Sequence, residues 1–166
     1  MDIISKGMGN RIVNISFDDY CTVTGKCVTM LHNHELDASD FCVIGIHVPN
    51  RLILWKYDLI LPFATTVQYS IDAVFSGGTA LDFNNKELGN TDRLGITGVS
   101  DPTVTDYGNV IDITKYGTGS IANIRVGASF GSGWFRLRRN RTFLQKLTSE
   151  YDDNNIVTRF SFIDIT

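Results

Sequence analysis

A chain of 166 residues, 43% hydrophobic and 20% charged, is long enough for one domain that buries ~70% of the surface its unfolded form exposes, and its composition excludes a disordered tail. A net charge of −3 excludes a whole-molecule attraction to nucleic acid or anionic membrane. No apolar run is long enough to span a bilayer as a helix, and the opening MDIISKGMGN lacks the charged-then-apolar layout of a signal peptide; the expected setting is a cytosol, or a virion if the chain is viral.

The acids are Asp apart from Glu35, Glu87 and Glu150, while Thr, Ile, Val, Gly and Asn are plentiful and Ala scarce. That bias favours strands joined by tight turns over helices. Cys21, Cys27 and Cys42 are an odd number of cysteines in a chain too large to need a disulfide framework, so reduced thiols are expected.

In chain order, CTVTGKCVTM mirrors itself about Gly25-Lys26, the pair a type II′ turn prefers, and predicts a hairpin in which Thr24 faces Cys27, Val23 faces Val28, Cys21 faces Met30 and Asp19 faces His32. DFCVIGIHVPNRLILWKYDLILPF reads as two buried central strands hinged at Pro49-Asn50. TTVQYSIDAVF alternates, with Val67, Tyr69, Ile71, Ala73 and Phe75 on one face. Residues 76–108 lose long periodicity and collect Gly, Asn, Asp and Thr; the expectation is a long loop or arm with one or two short strands, ordered by contact with a neighbour.

Three strands follow, in NVIDITKY, SIANIRVGASF and WFRLRRNRTF. LQKLTSE is the one candidate helix, Asp152-Asp153-Asn154-Asn155 a turn, and IVTRFSFIDIT the last strand. Eight to ten strands with short turns predict an all-β single domain over 1–166, an antiparallel β-sandwich or jelly-roll-like barrel with a long arm at about 76–108.

Candidate chemistry begins with VTMLHNHELDASDF. Residues two apart on a strand share a face, so His32, His34 and, through the hairpin register, Asp19 are three possible metal ligands. His-x-His on a strand resembles part of the first metal motif of the cupins, a jelly-roll family, which would imply a metal-dependent enzyme. Here Gly25 precedes His32 by one residue too many, Glu35 follows His34 at once, and a second cupin motif is missing. The same face carries Phe17, Cys21, Val23, Val28 and Met30, so the preferred reading is a polar rim of the core, with His32 satisfied by Asp19, His34 and Glu35 fraying toward solvent, and no metal. His47, within GIHVP, is expected to be another satisfied histidine.

The basic strand WFRLRRNRTF puts Arg136 and Arg138 on one side and Arg139 and Arg141 on the other. Guanidinium groups interleaved with aromatics suit carboxylate or phosphate partners, and arginine on both faces suits an edge. Ion pairing, with Glu150, Asp152 and Asp153 or across a subunit boundary, is preferred to nucleic acid. The oxygen-rich DFNNKELGNTD lacks the spacing of a calcium-binding EF-hand, and phosphate loops, dinucleotide fingerprints, paired zinc motifs and nucleophile elbows are missing.

The leading expectation is a non-enzymatic structural protein without a cofactor. It would form a homo-oligomer, or join other structural proteins of a larger particle, through Phe83, Leu88, Leu94 and Ile96 as apolar anchors and Arg136, Arg138, Arg139 and Arg141 as partners of carboxylates. In style it looks like a bacteriophage virion component, a head-decoration, tail or fibre protein. The alternatives are a glycan-binding β-sandwich that stacks sugars on Trp55, Trp134 or tyrosines, and a cupin-like enzyme using His32 and His34.

Overall fold

The computed structural model describes residues 4–8, 11–15, 24–87, 89–117, 124–127 and 135–165. Among the described residues the strands are, in chain order, β1 (Ile4–Met8), β2 (Arg11–Ile15), β3 (Cys27–Leu36), β4 (Phe41–Val48), β5 (Ile53–Leu61), β6 (Thr65–Ile71), β7 (Val74–Ser76), β8 (Thr79–Ala80), β9 (Asn84–Asn85), β10 (Thr97–Ser100), β11 (Thr103–Asp106), β12 (Asn109–Tyr116), β13 (Ile124–Gly127), β14 (Phe135–Leu137), β15 (Arg141–Ser149) and β16 (Asn154–Asp164). Most belong to two antiparallel sheets, one ordered β12-β6-β15-β4-β10-β8 and the other β13-β5-β16-β3-β9, with β14 also on β5. β1 and β2 form a hairpin, and β7 pairs with β11.

The two sheets make a sandwich because each presents an apolar face set by the period of two. On β5, Ile53, Trp55, Tyr57, Leu59 and Leu61 are buried while the residues between them are partly or fully exposed. On β15, Phe143 and Leu147 face them, and Trp55 lies 4.3 Å from Phe143 across the layer. Phe160 and Phe162 of β16 complete an aromatic centre, in which each fully buried ring contributes roughly 2–3 kcal/mol of transfer free energy. Gln145 donates to the Tyr69 hydroxyl at 3.0 Å, and burial pushes the Tyr57 and Tyr69 hydroxyls well above the usual phenol range.

Between Cys42 and Ile46, β4 is buried on both faces. Cys42, Ile44, Ile46 and Val48 enter the core, while outward-facing Val43 packs with Ala73 and Leu144 beneath Phe75 and Val104 of the β7–β11 ribbon. Gly45 is needed there, since a Cβ would stand 2.7 Å from the Phe75 ring.

Four local expectations are corrected. At Val28 and Thr29, β3 has β16 on one edge and β9 on the other, so these two residues have no free edge for the expected hairpin about Gly25-Lys26; its other strand, at residues 16–23, lies outside the described residues. β4 and β5 are not paired with each other but belong to opposite sheets, and the segment 49–52 is a corner between layers. LQKLTSE is no helix: β15 runs through it, hydrogen-bonded to β4 and β6 on either side, because two complete ladders outweigh a weak helical preference. Residues 76–108 are no arm either. β8 and β10 extend one sheet and β9 extends the other, so this segment walls off one side of the sandwich.

Cysteine chemistry also departs from expectation. Cys27 is disulfide-bonded, a state that oxidising surroundings favour, whereas Cys42 is a free buried thiol. Among the described residues, no helix is long and apolar enough to cross a membrane.

Candidate functional site

The basic stretch is not one strand. β14 lies antiparallel on β5, Leu137 opposite Ile53 and Arg136 opposite Leu54, which buries Leu137 and leaves Arg136 exposed. The chain then turns at 138–140, with Asn140 in the left-handed region at φ 51°, and enters the other sheet at Arg141, opposite Val48. Two layer-to-layer corners therefore stack at this end of the sandwich. The Pro49 carbonyl joins them, accepting from Arg51 N at 2.6 Å and Asn140 N at 3.1 Å.

Arginines gather where the corners meet. Arg51 is held by Asp164 at 2.7 Å, and Arg141 by Asp72, a residue of the tight turn after β6. Arg136, Arg138 and Arg139 are exposed and make no ion pair among the described residues. With Arg141 and Leu52 they line a cavity of about 770 Å³, and Arg136, Leu137, Arg138 and Arg141 line a smaller one of about 310 Å³ with Ile71. Planar guanidinium groups converging on an open concavity are suited to bidentate recognition of carboxylates or phosphates.

The expected intrachain partner is elsewhere. Glu150, Asp152 and Asp153 sit past the far end of β15, roughly 27 Å away along the strand. Glu150 pairs with Lys115 at 2.7 Å, and Asp152 accepts from Ala38 N at 2.9 Å. Asp37 and Asp40 of the β3–β4 turn join them, because that turn is tied to β15 through Ser39 N to Ser149 O and Ser149 N to Asp40 O, each 2.9 Å. One end of the sandwich is basic and the other acidic.

Three of the expected apolar anchors are not presented to a partner. Phe83, Leu94 and Ile96 are buried in the chain's own core, with Phe83 5.9 Å from Phe162 and closely approached by Gly98; Leu88 lies outside the described residues. The loop oxygens are engaged locally: Asn85, Asn90 and Asp92 accept from the backbone N–H of Glu87, Asp92 and Leu94 at 2.8–2.9 Å. This is the Asx-turn chemistry that orders such a loop.

His32 and His34 do share the core-side face of β3, with ring centroids 4.2 Å apart and nearly perpendicular. Their roles are exchanged relative to expectation: His34 is buried, 7% exposed, and its Nε2 has no hydrogen-bond partner among the described residues. Burial, helped by neighbouring His32 and opposed by Asp101, lowers the His34 pKa to about 4. His32 is also lowered by burial and raised back by Asp101. Asp101 also adds to the burial that raises the Cys42 thiol, and its carboxylate accepts from Val43 N at 3.3 Å. Asp19 falls outside the described residues, and His47 is exposed. Among the described residues no three metal-ligating side chains gather around one point. Trp55, 2% exposed, cannot act as a sugar platform, and Trp134 is not among the described residues.

Sequence reasoning missed Asp101 and the pairing of acidic with basic ends, since both depend on which turns meet in space. No protein-family model, curated protein or solved structure matches this chain.

Proposed function

We propose that the protein is a non-enzymatic assembly module that joins copies of itself head to tail, the arginine end of one copy receiving the acidic end of the next. A structural component of a larger particle, such as a bacteriophage virion, is the setting in which such a module works. The observation that carries this reading is the set of arginines 136, 138 and 139, clustered without ion pairs among the described residues opposite an end bearing Asp37, Asp40, Asp152 and Asp153. Like charges held together by a rigid double corner repel one another, and partner carboxylates relieve that repulsion. A head-to-tail contact is heterologous, so it builds rings or filaments according to whether the rotation closes.

The test is sedimentation velocity over a range of protein and salt concentration. Wild type should associate at low salt and dissociate toward molar salt as screening sets in, while R136A/R138A/R139A should remain monomeric. A wild type that stays monomeric at high concentration and low salt defeats the proposal.

A further inference from the structure

Among the described residues, no carboxylate lines either cavity at the arginine end. The larger, about 770 Å³, is bordered by Leu52 and by Arg136, Arg138, Arg139 and Arg141. The smaller, about 310 Å³, sets Ile71 and Leu137 against three of the same arginines. Arg141 is compensated by Asp72. Arg136, Arg138 and Arg139 bring three positive charges that have no ion pair among the described residues, all on one corner of chain. That corner is held at both sides and at its tip: Leu137 is buried opposite Ile53, Arg141 opens the ladder with β4, and Asn140 N donates to the Pro49 carbonyl at 3.1 Å. The backbone therefore keeps the charges together, and the apolar Leu52, Ile71 and Leu137 beside them leave less water to screen one from another.

We propose that these adjoining cavities form one binding site for a compact chain of two or three phosphate groups, and that a bound oligophosphate keeps the acidic end of the next copy out. Each tetrahedral phosphate presents several oxygens to a planar guanidinium fork, so one ligand offsets all three arginines at once. Carboxylates of a second copy arrive singly, from separate turns, and their docking also costs the freedom of a whole molecule. The cavities are in the size range of small-ligand sites, and the fixed corner loses little conformational freedom on binding. A base attached to the phosphates adds little, because no aromatic ring stands among the described lining residues to stack on it. The binding stands on the cavities alone, while the effect on assembly rests on the head-to-tail reading.

Titration calorimetry at low salt on the full chain carrying D37N/D40N/D153N, which weakens the competing acidic end, reads the binding apart from assembly. The probes are inorganic triphosphate, a nucleoside triphosphate, orthophosphate, citrate and a single-stranded oligonucleotide. Triphosphate should bind one to one. Adding Arg136→Gln or Arg138→Gln should weaken it about tenfold, and adding Arg93→Gln, at an exposed arginine between β9 and β10, should leave it unchanged. Orthophosphate and citrate should bind about tenfold or more weaker. Equal affinity for the two triphosphates makes the phosphate chain the whole ligand, and a tighter nucleoside form supports the phosphate site while identifying a nucleotide as its source. In sedimentation of wild type, triphosphate should dissociate the assembly at matched ionic strength. The site is overturned if triphosphate does not bind at millimolar concentration, if citrate binds as well, or if Arg93→Gln costs as much as Arg138→Gln. Tighter binding of the oligonucleotide than of either triphosphate also overturns it, in favour of a nucleic-acid surface. An assembly that triphosphate leaves intact while it binds defeats the competition alone. A wild type that never associates defeats the head-to-tail reading, and calorimetry still decides the phosphate site. Unchanged thermal unfolding of each variant excludes misfolding as the cause.

Discussion

The two ends of the sandwich are built alike and finished differently. Each has a pair of turns stacked where strands reverse or change layer. Beneath the exposed carboxylates of the acidic end, neutral polar groups are consumed within the chain. Asn154, fully buried, donates to Thr65 Oγ1 at 3.0 Å and Ser149 Oγ at 2.9 Å and accepts from Phe63 N at 3.3 Å. At the arginine end the backbone is tied down by Pro49, but Arg136, Arg138 and Arg139 extend into open cavities. Buried, satisfied polar groups serve folding, and exposed, unpaired ones of a single sign serve contact.

Substitutions should separate the two ends by what they damage. The largest stability effect belongs to the acidic end: Asn154→Ala removes the three hydrogen bonds of a buried side chain and leaves the Phe63 N–H without its acceptor, although Thr65 Oγ1 keeps the Phe63 carbonyl and Ser149 Oγ keeps Tyr151, and should cost about 3 kcal/mol in urea unfolding. A loss below about 1 kcal/mol would mean that the network is not what secures this end.

A comparable effect comes from pH. His34 is held neutral in the fold, with a pKa of about 4 against 6.5 for the ordinary side chain, so the unfolded chain binds more protons through this window. Stability from this residue is complete above pH 6.5 and is lost as pH falls toward about 4, by up to roughly 3 kcal/mol. Chemical denaturation at several pH values should show that slope in wild type, and a shallower one in His34→Leu.

A smaller effect is expected in the turn that presents the arginines. Asn140→Ala should cost about 1 kcal/mol because alanine resists the left-handed region, while Asn140→Gly should be nearly neutral. If the alanine variant is as stable as wild type, the corner is not conformationally demanding. Smallest of all, Arg138→Ala should change unfolding free energy by less than about 0.5 kcal/mol while weakening self-association. A large stability loss there would move this arginine from contact to folding.

Much of the fold was legible as strands: β6, β12 and β16 follow the alternation in TTVQYSI, NVIDITKY and IVTRFSFID. Partnership was not. Pro49 and Asn50 predict a turn equally well whether the flanking strands pair or separate into two layers, and local pattern contains no term for that choice. The spaced apolar residues of 76–108 were visible too, but Phe83, Leu94 and Ile96 satisfy the same pattern whether they fill their own core or a neighbour's surface. His32 and His34 were rightly placed on the core-side face of their strand, while which of the two is buried depends on β16 and Asp101 across the fold.

The sequence by itself determined an all-β chain, its apolar periodicity and the density of arginine between residues 136 and 141, because these follow from residue type and spacing along the backbone. Only the tertiary structure decided that β4 and β5 lie in opposite sheets and that the acids and arginines occupy opposite ends. Each of those depends on which distant strands share hydrogen bonds, and that is set by the free energy of closing the whole core.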